Sequence, residues 1–425
     1  MDYILIGIDI NRSKPIESDP SSADFVQEIA DWAKISDNIK IWDYETQFTN
    51  SFGPFPLYNT LKPNIQFFTK NNANAHFQQC NGKHSENLSE LKCYLLSKLL
   101  WNPKANDNSI INEFLFGFYG DAAPYIRMYF DKLHEETRKS EIRLDIYGTP
   151  VWLADNVLSE SNMAKYNEYF DKAEKAVRDD LILYNRVRAA RLPLMFSAIE
   201  IAKTDLFGKR GWYFEKDGKF SKKPDMNKML EDFYSICNHD SITSLNEKGL
   251  SPDSYYHNTL RYIDVQIDGN IAFRKNVICN PPPDPRYTGM GNQMLTNGVR
   301  GTEDYKINWL GWEGMDCEIE LDLDSLRFLN EITISTLHMP DVWIIQPVSV
   351  KCLASENGIT YYDSGEIISD PGLEYKTDIR NFTFNTSNIK ARYLKLLVRS
   401  VNKLPHWHAY KGNKAWIFID EIVVR

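Results

Sequence analysis

The chain has little cysteine, no excess of basic residues and no long apolar run, and each shortage removes a class of function. Its six cysteines, Cys80, Cys93, Cys237, Cys279, Cys317 and Cys352, are far apart, with no CxxC pair and no metal-knuckle spacing to histidine. The sequence therefore offers no zinc site. Lys+Arg number 49 against 58 Asp+Glu, a net charge of -9. A phosphate backbone is held by clustered positive charge, so nucleic acid is excluded as the main partner. No apolar stretch approaches the roughly 18 residues of a membrane span, and the mean hydropathy is -0.45. There is no G-x-G-x-x-G, no P-loop and no G-x-S-x-G nucleophile elbow. The start, MDYILIGIDINRS, lacks the basic region and cleavage site of a signal peptide. It reads as a strand already inside a domain, which leads us to expect the C-terminal portion of a longer protein.

What is present is the composition of a folded, multi-domain chain. Hydrophobic residues make up 43% and charged residues 25% of 425 positions, and at roughly 100 to 200 residues per domain two to four domains are expected. From residue 3 to about 140 the pattern alternates strands with helices. Ile4, Leu5, Ile6 and Ile8 form an apolar run, and Ser21 leads into a helix with Phe25, Ile29, Trp32 and Ala33 on one face. Strands follow at 39–42 and 75–78, and Asn87 with Glu90 reads as a capping box. Such βα units predict a parallel sheet or part of a TIM barrel. Helical periodicity then dominates, with Pro193 as the expected break or kink in a pattern running from 162 to 203.

After the proline hinge NPPPDP the period falls from 3.6 to 2. Cys317, Ile319, Leu321 and Leu323 alternate with Asp316, Glu318, Glu320, Asp322 and Asp324, one face buried and one charged. A β-sandwich of about 140 residues is the natural reading. The fold class is thus multi-domain, α/β followed by all-β.

Two stretches carry a family resemblance. The landmarks LLWNP and FYGDAAPYI, with IWDYE and HFQQCNG before them, resemble an uncharacterised family of bacterial glycan-utilisation proteins related to α-glucuronidase-like TIM-barrel glycoside hydrolases. The resemblance runs from about residue 3 to 275. It implies a partial TIM-barrel-like glycoside hydrolase domain over 1–140, then a helical domain over 141–275, with the earlier barrel strands absent from this chain. Residues 292 to 425, through MLTNGVRGT, NWLGWEGMDCEIELDL and KAWIFIDEIVV, resemble the discoidin-like (F5/8 type C) sandwich found at the C-terminus of many bacterial glycosidases. That resemblance implies a sugar-binding or structural module over 285–425 and, in many relatives, a calcium ion. Asn297 stands where the family usually has aspartate. Together the two resemblances imply a poly- or oligosaccharide partner and a periplasmic, outer-surface or secreted location.

Glycoside hydrolysis needs two carboxyl groups about the scissile bond, and barrel chemistry sits at the C-terminal ends of strands. Asp9, Asp43 and Glu45 are the carboxylates in those positions, with Gln78 and Gln79 as amides for sugar hydroxyls and Trp42 and Tyr44 as stacking rings. The plainer reading is that Asp9 and Asp43 cap loops and that Trp42 is core. In the sandwich Trp407, flanked by His406 and His408 in a polar loop, reads equally as a sugar platform and as a plug, with Arg286 and Tyr287 as hydrogen-bonding partners. Asn297, Thr302 and Glu421 are the calcium candidates; the alternative is an ordinary Asn-Gly turn beside an acid. No cofactor is expected for catalysis. Two functions stay open: a glycoside hydrolase, or part of one, with an appended sugar-binding module, and a non-catalytic glycan-binding or structural protein.

Overall fold

The computed structural model describes residues 2–5, 10–80, 87–217, 219–288, 291–370 and 376–425, and its contacts divide the chain into two compact units, 1–256 and 257–425. The first opens with β1 (Asp2–Leu5), α1 (Ala23–Ile35), β2 (Ile39–Tyr44), α2 (Tyr58–Lys70) and β3 (Ala73–Gln79). The strands pair in the order β1-β2-β3, all parallel. Ile6 and Ile8 lie outside the described residues. In β2 the alternation works as the pleat requires: Ile39 and Ile41 are buried with Ile29, Phe67 and Phe68 of the covering helices, whereas Lys40 and Trp42 point to the opposite, half-buried face. On α1 only Ile29 is buried, and Trp32, expected on the same face, is 45% exposed. The described residues form an open three-stranded sheet here, not a closed barrel.

Helices α3 (Ser89–Trp101), α4 (Asp107–Tyr119), α5 (Ala123–Ser140), α6 (Glu160–Ala176) and α7 (Leu181–Thr204) follow, then the hairpin of β4 (Tyr213–Lys216) and β5 (Lys219–Lys222), α8 (Pro224–His239) and α9 (Pro252–Tyr262), within which the division falls. One apolar core joins Leu57 and Leu61 to Tyr129, Phe170 and Ile201. The boundary expected at residue 140 is therefore not a break in packing. The segment after α5 returns to the sheet, where Leu144 accepts from the Arg12 amide at 3.0 Å and Ile146 from the Phe48 amide at 2.7 Å.

Two local expectations also change. At α3 the cap residue is Leu88, at φ 55°, with no side-chain cap bond, and the hydroxyls of Tyr58 and Tyr129 donate to the carbonyl and the side chain of the preceding Asn87. The helical break falls at 177–180 and not at Pro193, which lies buried inside α7. Asp180 starts the new helix by accepting from the Ile182 and Leu183 amides at 3.0 Å each.

The second unit contains β6 (Asn276–Asn280), β7 (Leu310–Glu313), β8 (Cys317–His338), β9 (Ser349–Ser355), β10 (Tyr362–Ile368), β11 (Asp378–Arg399) and β12 (Trp416–Val424). They pair antiparallel in the order β10-β9-β11-β8-β12-β7, with β6 also on β8. The two 22-residue strands make the sandwich. The first half of β8 pairs with the second half of β11 and with β6, and its second half pairs with the first half of β11 and with β12. Register shifts at Asn385/Ile389 and Ala391/Tyr393 mark the bend. The inward residues of both halves, among them Ile319, Leu321, Ile332, Ile334, Leu394 and Leu396, meet in one core with Ile417 and Ile419. The period-2 reading of Cys317 to Leu323 holds, every second residue being buried. Residues 270–275, read as the end of a helical domain, and 276–280, which lie between the two expected domains, belong to this sandwich: the Ile271 amide donates to Val424 at 2.7 Å and Cys279 joins the core.

His134 gives the first unit a pH signature. It is buried between Phe130 and Tyr58, its Nδ1 donates to the Phe130 carbonyl at 2.7 Å, and its Nε2 meets no partner among the described residues. Burial holds its pKa down at about 4. Because the unfolded chain binds this proton near pH 6.5, the stability is fully present above that pH and is lost as pH falls towards 4. His134→Phe should take up about one proton fewer on unfolding between pH 6.5 and 4, measured from the pH dependence of urea unfolding. An unchanged slope removes His134 as the cause.

Candidate functional site

Two clusters hold the candidate residues, one in each unit. At the C-terminal end of β2, Asp43 is buried and forms a hydrogen-bonded ion pair with the equally buried Arg12. Its Oδ1 also accepts from the Tyr44 amide at 2.8 Å. Two residues on, Glu45 is buried too, with its amide on the Gln79 carbonyl at 2.9 Å and its carbonyl taken by the buried Lys92 ammonium at 2.6 Å. Burial, then the Asp43 charge, then a side-chain hydrogen bond with Asp43 hold the Glu45 carboxyl well above the usual range, against the opposing pull of Arg12 and Lys92.

A glycosidase sets its two carboxyl groups about a sugar bond at roughly 5 Å or more, and here Asp43 is already paired with Arg12. The remaining candidates split across the sheet. His76 and Gln78 share the Asp43 face and approach each other at 3.5 Å, and burial pushes the His76 pKa down. Gln78 Oε1 is buried with no partner among the described residues. Trp42 and Gln79 lie on the opposite face, joined by an indole-to-amide bond of 2.8 Å, with Phe77 edge-on to Trp42 at 4.8 Å. Tyr44 packs edge-on to Phe48. Asp9 lies outside the described residues. The expected constellation of Asp43, Trp42 and both glutamines therefore does not line a single pocket.

In the second unit the loop between β11 and β12 is closed by main-chain bonds. The Leu404 amide donates to Asn413 at 2.8 Å, the Gly412 amide to Leu404 at 3.0 Å and the Ala415 amide to Asn402 at 3.1 Å. Gly412 takes φ +88°, a conformation that costs a side-chain-bearing residue about 1 kcal/mol or more. His408, expected to face a ligand, is buried: its Nε2 sits 3.0 Å from the Pro340 carbonyl and its Nδ1 accepts from the Tyr410 amide at 3.0 Å. These bonds commit both ring nitrogens to main-chain partners. Trp407 is half-buried against Ile345, Leu404 and Ala415, and His406 is exposed. The ring that the loop presents is Tyr410, 59% exposed, 5.6 Å from Trp343 and 6.1 Å from His408. The sequence reading passed over Tyr410, whose signal was its place just before Lys-Gly in the same loop.

Arg286 and Tyr287 are committed elsewhere. Arg286 forks onto Asp284 at 2.9 and 3.0 Å and reaches Glu313 at 2.6 Å, its guanidinium 4.7 Å from the Trp416 ring. The same fork holds the Asp284 pKa down at about 2. Tyr287 packs on Trp416 and Phe418.

The calcium candidates do converge, but through N–H donors. Glu421 accepts from the Gly298 amide at 3.1 Å and from the Asn270 carboxamide at 3.3 Å. Asn297 accepts from the Val299 amide at 2.8 Å and donates to Asn308 at 2.9 Å. Thr302 takes the Asp304 amide on its hydroxyl at 3.1 Å and the Trp309 indole on its carbonyl at 2.9 Å. Calcium needs six to eight oxygens turned to one point; here N–H groups meet those oxygens, and the neighbouring Asp420 closes the loop by accepting from the Gly301 amide at 2.7 Å. The residues fit a hydrogen-bonded clasp and not a calcium cage. Burial lifts the Asp420 carboxyl to about 7 and Glu421 well above its usual range.

The Arg12–Asp43 pair yields a stability test. Arg12→Met strands a buried carboxylate and should cost about 3 to 5 kcal/mol in urea unfolding, part of which Asp43→Asn restores in the double variant. A loss below about 1 kcal/mol is what a solvated pair gives and contradicts the burial.

Residues 3–131 match the family model described as a domain of unknown function, DUF4838. No curated protein matches the chain. Among solved structures the chain is similar to chitosan-binding module 1 of a chitosanase/glucanase from Paenibacillus sp. IK-5, at 13% identity over 37% of this chain and 98% of that one, with a TM-score of 0.25. It is similar to a fucose binding module of Streptococcus pneumoniae at 13% identity, over 37% of this chain and 96% of that one, TM-score 0.25. It is also similar to the family 32 module of C. perfringens NanJ in complex with galactose, at 14% identity over 36% and 93%, TM-score 0.24.

Proposed function

We propose that this is a glycan-binding protein in which the sandwich unit holds a sugar ring against Tyr410, at the loop end beside Trp343 and His406. The observation that carries the reading is one exposed aromatic ring on a loop tied down by its own main-chain bonds. A ring fixed before binding loses little freedom when it meets the flat face of a sugar, and the exposed His406 and Lys411 beside it in the chain can meet hydroxyl groups. The resemblance of residues 292 to 425 to discoidin-like modules points the same way. A glycan ligand suits a periplasmic, outer-surface or secreted protein.

The glycoside-hydrolase reading draws on a different observation. Glu45 keeps its proton well above the usual range, as general acids do, at the end of a strand in a parallel sheet that suits a TIM-barrel-like fragment. Its partner carboxylate would then come from a residue other than Asp43, which is paired with Arg12.

Calorimetric titration of the full chain with neutral and amino sugars tests the binding reading. A site of one ring and a few polar groups should bind at about millimolar Kd. Tyr410→Ala should weaken that binding at least about tenfold, equivalent to about 1.4 kcal/mol, whereas Asp43→Asn should leave it unchanged. Equal affinity for Tyr410→Ala and the parent places the ring elsewhere; no binding to any sugar defeats the reading. The clasp around Glu421 is expected to close without a cation, so a metal chelator should not shift the thermal midpoint of the sandwich. A downward shift restored by calcium contradicts it.

A further inference from the structure

We propose that the hairpin of β4 and β5 binds an acidic glycan, a chain of sugars bearing carboxylate or sulfate groups, at a site separate from the Tyr410 loop. From Lys209 to Lys223 the sequence has six basic residues against two acidic ones, in a chain of net charge -9. Three of the six cations are used locally. Lys209 pairs with Glu160, Arg210 donates to the Ala154 carbonyl at 2.7 Å, and Lys223 donates to the carbonyls of Lys209 and Gly211 at 2.8 and 2.9 Å. Lys216, Lys219 and Lys222 are exposed and form no ion pair among the described residues. Register concentrates two of them: Lys216 lies directly opposite Lys219, and Phe214 opposite Ser221. These four side chains therefore share one face of the ribbon, the two lysine stems starting about 5 Å apart.

Like charges directly opposite each other destabilise a strand pair, and an anion held between the two ammonium groups removes that cost. The arm that carries them is anchored at its base. The Tyr213 amide donates to Leu206 and the Lys223 amide to Trp212, both at 2.8 Å, the Trp212 indole donates to Asn227 at 2.7 Å, and the Phe220 ring meets Phe207 at 4.8 Å. Charge and shape together select the occupant. Two strands of four residues present far less than the roughly 800 Å² that a folded partner covers. A bilayer surface calls for a broad apolar face, whereas this face has one ring, Phe214, 42% exposed, with the acids Glu215 and Asp217 in the same hairpin. A single ring beside two free cations suits a narrow chain whose flat faces alternate with anionic groups, as in an acidic glycan.

The test is to titrate the full chain with polygalacturonate at low salt, with neutral dextran and phosphatidylglycerol vesicles as controls. The expected result is binding to polygalacturonate alone, lost at high salt because screening weakens exposed charge pairs. The double variant Lys216→Gln, Lys219→Gln should weaken it at least about tenfold with the far-ultraviolet dichroism unchanged. Lys34→Gln with Lys70→Gln, which removes the same charge from exposed positions on α1 and α2, should leave the affinity within about twofold of the parent. Tyr410→Ala should leave it unchanged too, so failure here is distinct from failure of the sandwich site. No binding to polygalacturonate, equal loss in the two double variants, or loss in Tyr410→Ala alone overturns the proposal. Vesicle binding in place of polygalacturonate binding also overturns it, and makes the hairpin a membrane contact.

Discussion

Burying a carboxyl group is costly unless something meets it, and this protein does so in each of its two units. Taking an ionised carboxylate out of water costs several kcal/mol even after the surroundings relax. In the first unit Asp43 meets Arg12, and burial with the Asp43 charge pushes the Glu45 carboxyl well above its usual range. In the second, Asp420 and Glu421 sit side by side in the middle of β12, where its register on β8 shifts, satisfied by the main-chain amides of Gly301 and Gly298 and by Asn270. Both arrangements convert what reads in sequence as chemistry into architecture. Asp43 ties the end of β2 to the turn that carries Arg12, and the second pair ties the loop from Asn297 to Thr302 onto the last strand.

Once these acids are accounted for, the exposed chemistry lies at the loop end of the sandwich. The bent strands β8 and β11 fix that end, since each runs through both halves of the core and a slip of one residue would turn its buried face to solvent. Pinned to this frame, the loop from Ser400 to Ala415 has little freedom. His408 is used as an internal strut to Pro340, and the ring left facing outward belongs to Tyr410. The site proposed there is thus shaped by rigidity more than by a deep cavity, which is the basis for expecting weak and sugar-tolerant binding.

Much of this was legible in the chain where a local pattern decides the outcome. The alternation from Cys317 to Leu323 gave its strand because one face is charged and the other apolar, and β2 and β3 were placed to within two residues for the same reason. What escaped was decided by distant partners. The i, i+2 spacing of Asp43 and Glu45 puts them on one side of the chain, yet nothing local shows that Arg12 waits there to pair with Asp43. The proline at 193 is the stronger helix-breaking signal than Asp180, but the buried helix continues through the first and starts anew at the second. His408 read as a loop residue free to meet ligand, because the carbonyl that holds it lies at Pro340, far back in sequence.

The account stands or falls on where a sugar sits. A crystal of the full chain soaked with the tightest-binding sugar places the ligand directly. The sugar ring is predicted to lie in van der Waals contact with the Tyr410 ring, beside Trp343, with no sugar at the ends of β2 and β3. A sugar seated against Glu45 instead, with Tyr410 bare, would contradict the account and return the first unit to the centre of the chemistry.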